Sequence, residues 1–210
     1  LSVTEPSIYF GELSNECAIV RTRAREFHYP KGEDNVYTTY DGRGGVALDS
    51  FWRTLLFAVR FGSYQLLLSD DITSESRLIF DRQIRTRVNK IAPFLIYDDD
   101  PYAVIHEGRL YWIQDAYTTS NRYPYSSAVI GPVNYIRNSV KFVIDAYQGT
   151  TTAYLSDPSD PIISTYGRIF PNLFKGMDEM PAEIRRHVRY PEDIFAVQAR
   201  VFTTYHMTQP

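Results

Sequence analysis

Apolar residues along the chain change their spacing from section to section, and those changes outline the elements. Between Ser7 and Val20 two short runs rich in aromatic and β-branched residues flank Gly11 to Asn15 and predict two strands. The segment Arg21–Gly45 is polar and broken by Tyr29-Pro30-Lys31-Gly32 and Asp41-Gly42-Arg43-Gly44-Gly45, so it reads as a connection holding one strand at Val36–Tyr40. At Phe51 the spacing becomes helical. Asp49 or Ser50 can cap a helix that runs to about Gly62, with Phe51, Leu55 and Val59, and Trp52 and Leu56, on its apolar face. A second helix is expected from Thr73 or Ser74 through Leu78, Ile79, Ile84, Val88 and Ile91, ending before Pro93, whose ring disfavours helix in the residue before it. Its opposite face would carry Arg77, Arg82, Arg85, Arg87 and Lys90.

The middle of the chain alternates with the period of strands. Tyr102–His106 and Leu110–Tyr117 flank Glu107-Gly108-Arg109, a hairpin signal with glycine at the turn. Val140–Tyr147 and Thr151–Leu155 form a second hairpin around Gln148-Gly149. Val140, Phe142, Ile144 and Ala146 are expected to face the core, with Lys141, Val143, Asp145 and Tyr147 outward. The two hairpins share an echo: Ile113-Gln114-Asp115-Ala116-Tyr117 returns as Val143-Ile144-Asp145-Ala146-Tyr147. It places Trp112, Gln114 and Ala116 inward, and Asp115 and Tyr117 outward. The last third reads as helices at Pro161–Arg168, Pro181–His187 and from Tyr190-Pro191-Glu192-Asp193 onward, where proline and carboxylates suit a first turn. Phe195, Ala199, Phe202, Tyr205 and Met207 give the last helix an apolar face. Hairpins and helices in separate sections predict an α+β fold: a small antiparallel sheet with helices packed on it, before and after the central hairpins. The whole of 1–210 reads as one domain, with room for a sub-boundary near 93–101.

Composition narrows the function classes. A 44% hydrophobic, 22% charged chain is globular, and a net charge of −3 argues against a nucleic-acid partner. The single cysteine, Cys17, excludes an intrachain disulfide and a cysteine metal cluster. Apolar runs such as Leu55–Val59 fall well short of the roughly 20 residues of a membrane span. The first residue is Leu1 and the end carries no terminating feature, so the chain reads as a piece of a longer protein.

The run Gly108–Ser120 with Arg122–Ser126, the segments Tyr9–Leu13, Ile91–Leu95, Asn134–Lys141 and Arg189–Asp193, and Tyr205-His206-Met207-Thr208 together resemble uncharacterised protein family 0182, which consists of large bacterial integral membrane proteins. The resemblance implies a parent protein in the cell membrane, with several N-terminal spans followed by an extracytoplasmic region that includes this chain. It carries over no catalytic residue.

The residues themselves offer no phosphate loop, HExxH or nucleophile elbow, and no cofactor or metal is expected. His28, His106, His187 and His206 are scattered. Gly42–Gly45 ahead of a helix can bind an anion or be a plain loop. Asp98-Asp99-Asp100 can serve calcium or be a solvated turn. Asp115 and Asp145 can be an acid/base pair, or can anchor backbone and pair with Arg109, Arg122 or Arg137. Trp112, Asp115, Tyr117, Asn121, Arg122, Tyr123 and Tyr125 are the candidate ligand-binding surface, aromatic rings beside Asp, Asn and Arg being apt for sugar faces and hydroxyls. The same residues can simply pack the loop across the sheet. The expected function is a non-catalytic extracytoplasmic interaction domain that binds another part of its own protein, a membrane partner or an envelope glycan. The alternative is a cell-envelope carbohydrate-active hydrolase or transferase working through the paired carboxylates.

Overall fold

The computed structural model describes residues 3–31, 34–128 and 131–206. The fold is α+β, and the chain divides into two compact units: Leu13–Gln83, and Leu1–Glu12 together with Ile84–Pro210. Residues 93–101 lie inside the second of these.

In the unit Leu13–Gln83, β1 (Cys17–Val20) and β4 (Val46–Ala47) both pair antiparallel with a central strand, β5 (Arg77–Phe80). β2 (Glu26–Lys31) and β3 (Asp34–Thr38) form a separate ribbon. The helix α1 (Phe51–Phe61) starts at Ser50 and stops at Gly62, whose φ of 60° lets its N–H reach the carbonyls of Ala58 and Val59. A single turn, α2 (Gln65–Leu68), follows. Leu48, Ala58, Leu66 and Leu78 make the core, with Phe57, Phe61, Ile72 and Phe80 packed against it.

Four expectations change here. Thr73–Phe80 is not helix: Leu78 and Ile79 are fully buried in a strand paired with β1 and β4, Phe80 packs at the edge of the core, and Asp81, at φ 52°, ends the strand. Ser7–Phe10 is not a strand, and Glu26–Lys31 is one although its sequence reads as a connection. The buried side of α1 is Thr54 and Ala58 with Phe57 and Phe61, while Phe51, Trp52, Leu56 and Val59 stand in solvent.

The larger unit is built on a sheet of order β11-β10-β9-β8-β6, with β7 also paired to β8. These strands are β6 (Ile96–Tyr97), β7 (Tyr102–His106), β8 (Arg109–Ser120), β9 (Tyr135–Asp145), β10 (Thr151–Leu155) and β11 (Phe174–Gly176). All pairings are antiparallel except β10 with β11. The β7–β8 hairpin turns through Glu107 (φ 50°) and Gly108 (φ 74°), two positive values that match the right-handed twist of the strands.

The sheet has a core on each face. Ala116, Val140, Phe142, Ile144 and Ala153 pack with α3 (Ile84–Ile91) and α4 (Pro161–Ile169) through Ile84, Val88 and Ile163. On the other face Tyr102, Val104, Ile113, Val143 and Tyr154 pack with Met180 and with Ile184 of α5 (Ala182–Arg186). The inward set was legible from alternation. The outward set, Lys141, Val143, Asp145 and Tyr147, is buried as well, because the segment around α5 and the start of α6 (Glu192–His206) cover that face. Along α6 Ile194 in the first turn is buried and Val197 and Val201 are half-buried; Phe195 and Phe202 are exposed, and Met207 lies outside the described residues. Among the described residues no helix is long and apolar enough to cross a membrane.

Candidate functional site

The echo segments lie on neighbouring strands and meet at their first residues. Ile113 sits opposite Val143, and from that pair β8 and β9 run in opposite directions, so Asp115 faces Lys141 and Tyr111 faces Asp145. The two aspartates share a face but stand four positions apart along the ladder, about 13 Å at the usual strand rise. The pairs of carboxyl groups in glycosidases are separated by about 5–9.5 Å.

Each aspartate has a local partner. Lys141 Nζ donates to Asp115 Oδ1, and both side chains are buried. Burial pushes the Asp115 carboxyl above its ordinary value, although Lys141 and a hydrogen bond from Asn138 pull the other way. Asp145 Oδ1 accepts from the N–H groups of Tyr147 (2.8 Å) and Gln148 (2.9 Å), which fixes the β9–β10 turn, and Arg109 approaches Oδ2 at 4.0 Å. The asparagine-and-lysine pairing of Asp115 carried no sequence signal, because the arginines nearby in the chain were the more obvious cations.

Tyr117 is also interior. Its hydroxyl donates to Asp98 Oδ2, and burial followed by that carboxylate hold the phenol far above the usual tyrosine value. Asp98 further accepts from Asp100 N (2.9 Å) and Asp193 N (3.4 Å), so it ties the loop before β7 to the first turn of α6. Asp193 is pushed up by burial and then by Asp98 and Asp99. The Asp98–Asp100 run is thus divided: Asp98 points inward, and Asp99 meets Arg85 at 2.5 Å. Among the described residues no three His, Cys, Asp or Glu side chains are grouped to hold a metal.

Of the seven candidate surface residues, Asp115 and Tyr117 lie in this network, and Trp112 is half-buried on the opposite face with Nε1 donating to the Phe10 carbonyl (3.0 Å). Asn121, Arg122, Tyr123 and Tyr125 are brought together on an exposed loop. Tyr123 stacks on Tyr135 at 5.1 Å, Asn134 bridges the Tyr123 N–H and carbonyl, and Tyr125 is fully exposed at φ 59°. A bulge between Ala116 and Thr118 re-aims β8 between the two groups. Gly42–Gly45 has its role too: the carbonyls of Arg43, Gly44 and Gly45 accept from the Arg77 guanidinium. Converging carbonyls suit a cation, here an internal one.

The surface missed by sequence reasoning is the outer face of α1 and α2. Trp52 (71%), Leu56 (71%), Val59 (74%), Tyr64 and Leu68 are exposed, with Phe51 beside them. Helical periodicity put Phe51, Trp52, Leu56 and Val59 on one apolar face, and gave no signal for Tyr64 and Leu68. Among the described residues of their own unit they remain uncovered. Burying one such side chain is worth about 1.5–3 kcal/mol, which makes this face a candidate contact surface.

A sequence family model described as "Uncharacterised protein family (UPF0182)" matches residues 1–210. Among curated relatives, a UPF0182 protein of Pelotomaculum thermopropionicum is 53% identical over 210 residues, one of Pelobacter propionicus 54% over 211, and one of Alkaliphilus metalliredigens 54% over 211. Each alignment covers 100% of this chain, which spans only 22–23% of the length of these relatives. No solved structure matches the fold.

Proposed function

The chain belongs to the uncharacterised protein family UPF0182, and from that premise we propose that it is a non-catalytic extracytoplasmic interaction domain of a bacterial integral membrane protein. Its partner at the α1–α2 face is another part of the same long polypeptide. The observation that carries this reading is the apolar surface formed by Trp52, Leu56, Val59 and Leu68. The relatives' length supports the choice of occupant: about three quarters of each lies outside the matched region, ample chain to cover a helix face. The membrane setting rests on the motif resemblance.

The chemistry inside the sheet agrees with a binding role. Asp115 is matched by Lys141 and Asp145 by turn amides, so the carboxylates that a hydrolase or transferase would use belong to residues about 13 Å apart along the ladder and are engaged in holding strands. For an envelope glycan, the Asn121–Tyr125 loop is the suitable surface, since the Tyr125 ring and the Tyr123–Tyr135 stack offer apolar faces beside Asn121 and Arg122.

A photo-crosslinking residue placed at Trp52 or Leu56 of the whole membrane-embedded protein tests the reading. Cross-links should map to another stretch of the same polypeptide. Cross-links to lipid or to a separate protein, or yields no higher than from a probe at exposed Arg122, would contradict it.

A further inference from the structure

We propose that the free edge of β7 is a strand-addition site for an extended acidic peptide of a partner protein. The proposal rests on reading the chain as an interaction domain, but it concerns a different unit from α1 and α2, so either surface can fail alone.

The hairpin register decides which main-chain groups are open. The two-residue turn makes His106 and Arg109 a hydrogen-bonded pair, and hydrogen-bonded and open positions alternate from there. Val104 and Tyr102 therefore aim their N–H and C=O groups at β8, while Ala103 and Ile105 aim theirs away. β7 pairs with β8 and with no other strand among the described residues, and neither Ala103 nor Ile105 has a main-chain partner among them on the outer side.

A cleft of about 220 Å³ runs along this edge, lined by Tyr102, Ala103, Val104 and Ile105 and, opposite, by His187 and Arg189. Successive strand residues point to opposite faces, so a cleft that touches four in a row approaches from the edge. Its far wall is fixed. Arg189 N–H donates to the Tyr102 hydroxyl (3.0 Å), its carbonyl accepts from Lys141, and its guanidinium lies 4.6 Å over the Tyr102 ring.

Exposed edges are ordinarily guarded by lysine, proline or a bulge. β7, with the sequence Tyr-Ala-Val-Ile-His, carries neither residue and keeps an unbroken register with β8. The charge beside it is positive: Arg189 stands in the wall, and Arg185 and Arg186 lie exposed on α5 just before it. Of the acids close by, Glu183 is held by His106 at 2.9 Å, Glu107 sits at the hairpin tip, and Asp100, just before the strand, acts on the Tyr102 end of the cleft alone. Added strands gain affinity from main-chain hydrogen bonds and specificity from the side chains flanking them, so this wall selects carboxylates. A second copy of the same edge is disfavoured, since two-fold pairing would bring the two basic walls together.

The test uses fluorescence polarisation of short labelled peptides in which Val alternates with Glu or with Lys, added to the purified protein. The Glu peptide should bind at least about tenfold more tightly than the Lys peptide. Ile105→Pro removes an outward N–H without touching the β8 ladder, and should abolish binding while the circular-dichroism melt is retained. Should that variant misfold, R186E/R189E at exposed positions should reverse the Glu-over-Lys preference. Equal affinity for the two peptides, no binding of either, binding untouched by both variants, or a protein dimer that Ile105→Pro dissolves would each overturn the proposal.

Discussion

Asp115 and Lys141 face each other across β8 and β9 as an ion pair whose side chains are 3% and 5% exposed. A charge taken out of water is costly, and the pair persists because each group neutralises the other inside a face that the α5–α6 segment seals.

Removing one member should therefore cost far more than removing both. Lys141→Met leaves a buried carboxylate and is expected to destabilise the chain by about 3–5 kcal/mol, whereas adding Asp115→Leu should recover most of that loss. Urea unfolding of the single and double variants measures it. A single variant within about 1 kcal/mol of the parent would show that water reaches the pair.

Asp160 caps α4, its carboxylate accepting from Ile162 N (3.2 Å), Ile163 N (3.3 Å), Tyr135 (2.6 Å), Ser139 (2.8 Å) and Thr118 (2.5 Å). Burial opposes ionisation, but these donors outweigh it and hold the carboxyl below its ordinary value. A depressed value in the folded state means that the stabilisation is complete above the unfolded carboxylate value and is lost as pH falls through the folded one. Asp160→Ala should cost about 1–2 kcal/mol or more at neutral pH. Melting curves in acid should show the gap between parent and variant closing.

The alkaline limb has a different origin. Burial raises Tyr102 and Tyr135 to about 12, and Tyr97 and Tyr117 further. Here the unfolded chain loses its phenolic protons first, so stability should fall as pH climbs past about 10. The phenolate absorbance of the folded protein should rise in two stages, the second coinciding with unfolding. A single stage complete near pH 10 in the folded protein would contradict this.

The α1 face offers a change with no folded-state cost. Trp52→Ser with Leu56→Gln should leave stability within about 0.5 kcal/mol, as exposed substitutions do, and should reduce self-association of the isolated chain in sedimentation. Ala58→Asp, on the buried side of the same helix, should unfold the unit.

Legibility followed how local each cause was. The Glu107-Gly108 turn, the Ser50 and Gly62 limits of α1 and the Pro161 start of α4 depend on a few adjacent residues and were readable. Arg77–Phe80 was not, since its apolar spacing fits a helix and only the pairings with β1 and β4 select a strand. The candidate surface around Asp115 and Tyr117 turned inward for a related reason. Alternation separates two faces of a strand and is silent on whether a later segment, here Met180, Ile184 and the start of α6, covers the second. On α1 the same limit worked in reverse: amphipathic spacing found the apolar residues, and their cover was not in the unit.

Thiol protection at that face tests the central claim most directly. With Cys17→Ser as background, Val59→Cys should react quickly with a water-soluble maleimide in the isolated 210-residue chain and slowly in the full-length protein. A thiol equally reactive in both would show that nothing covers α1, and the reading of this chain as a domain docked within a longer protein would be wrong.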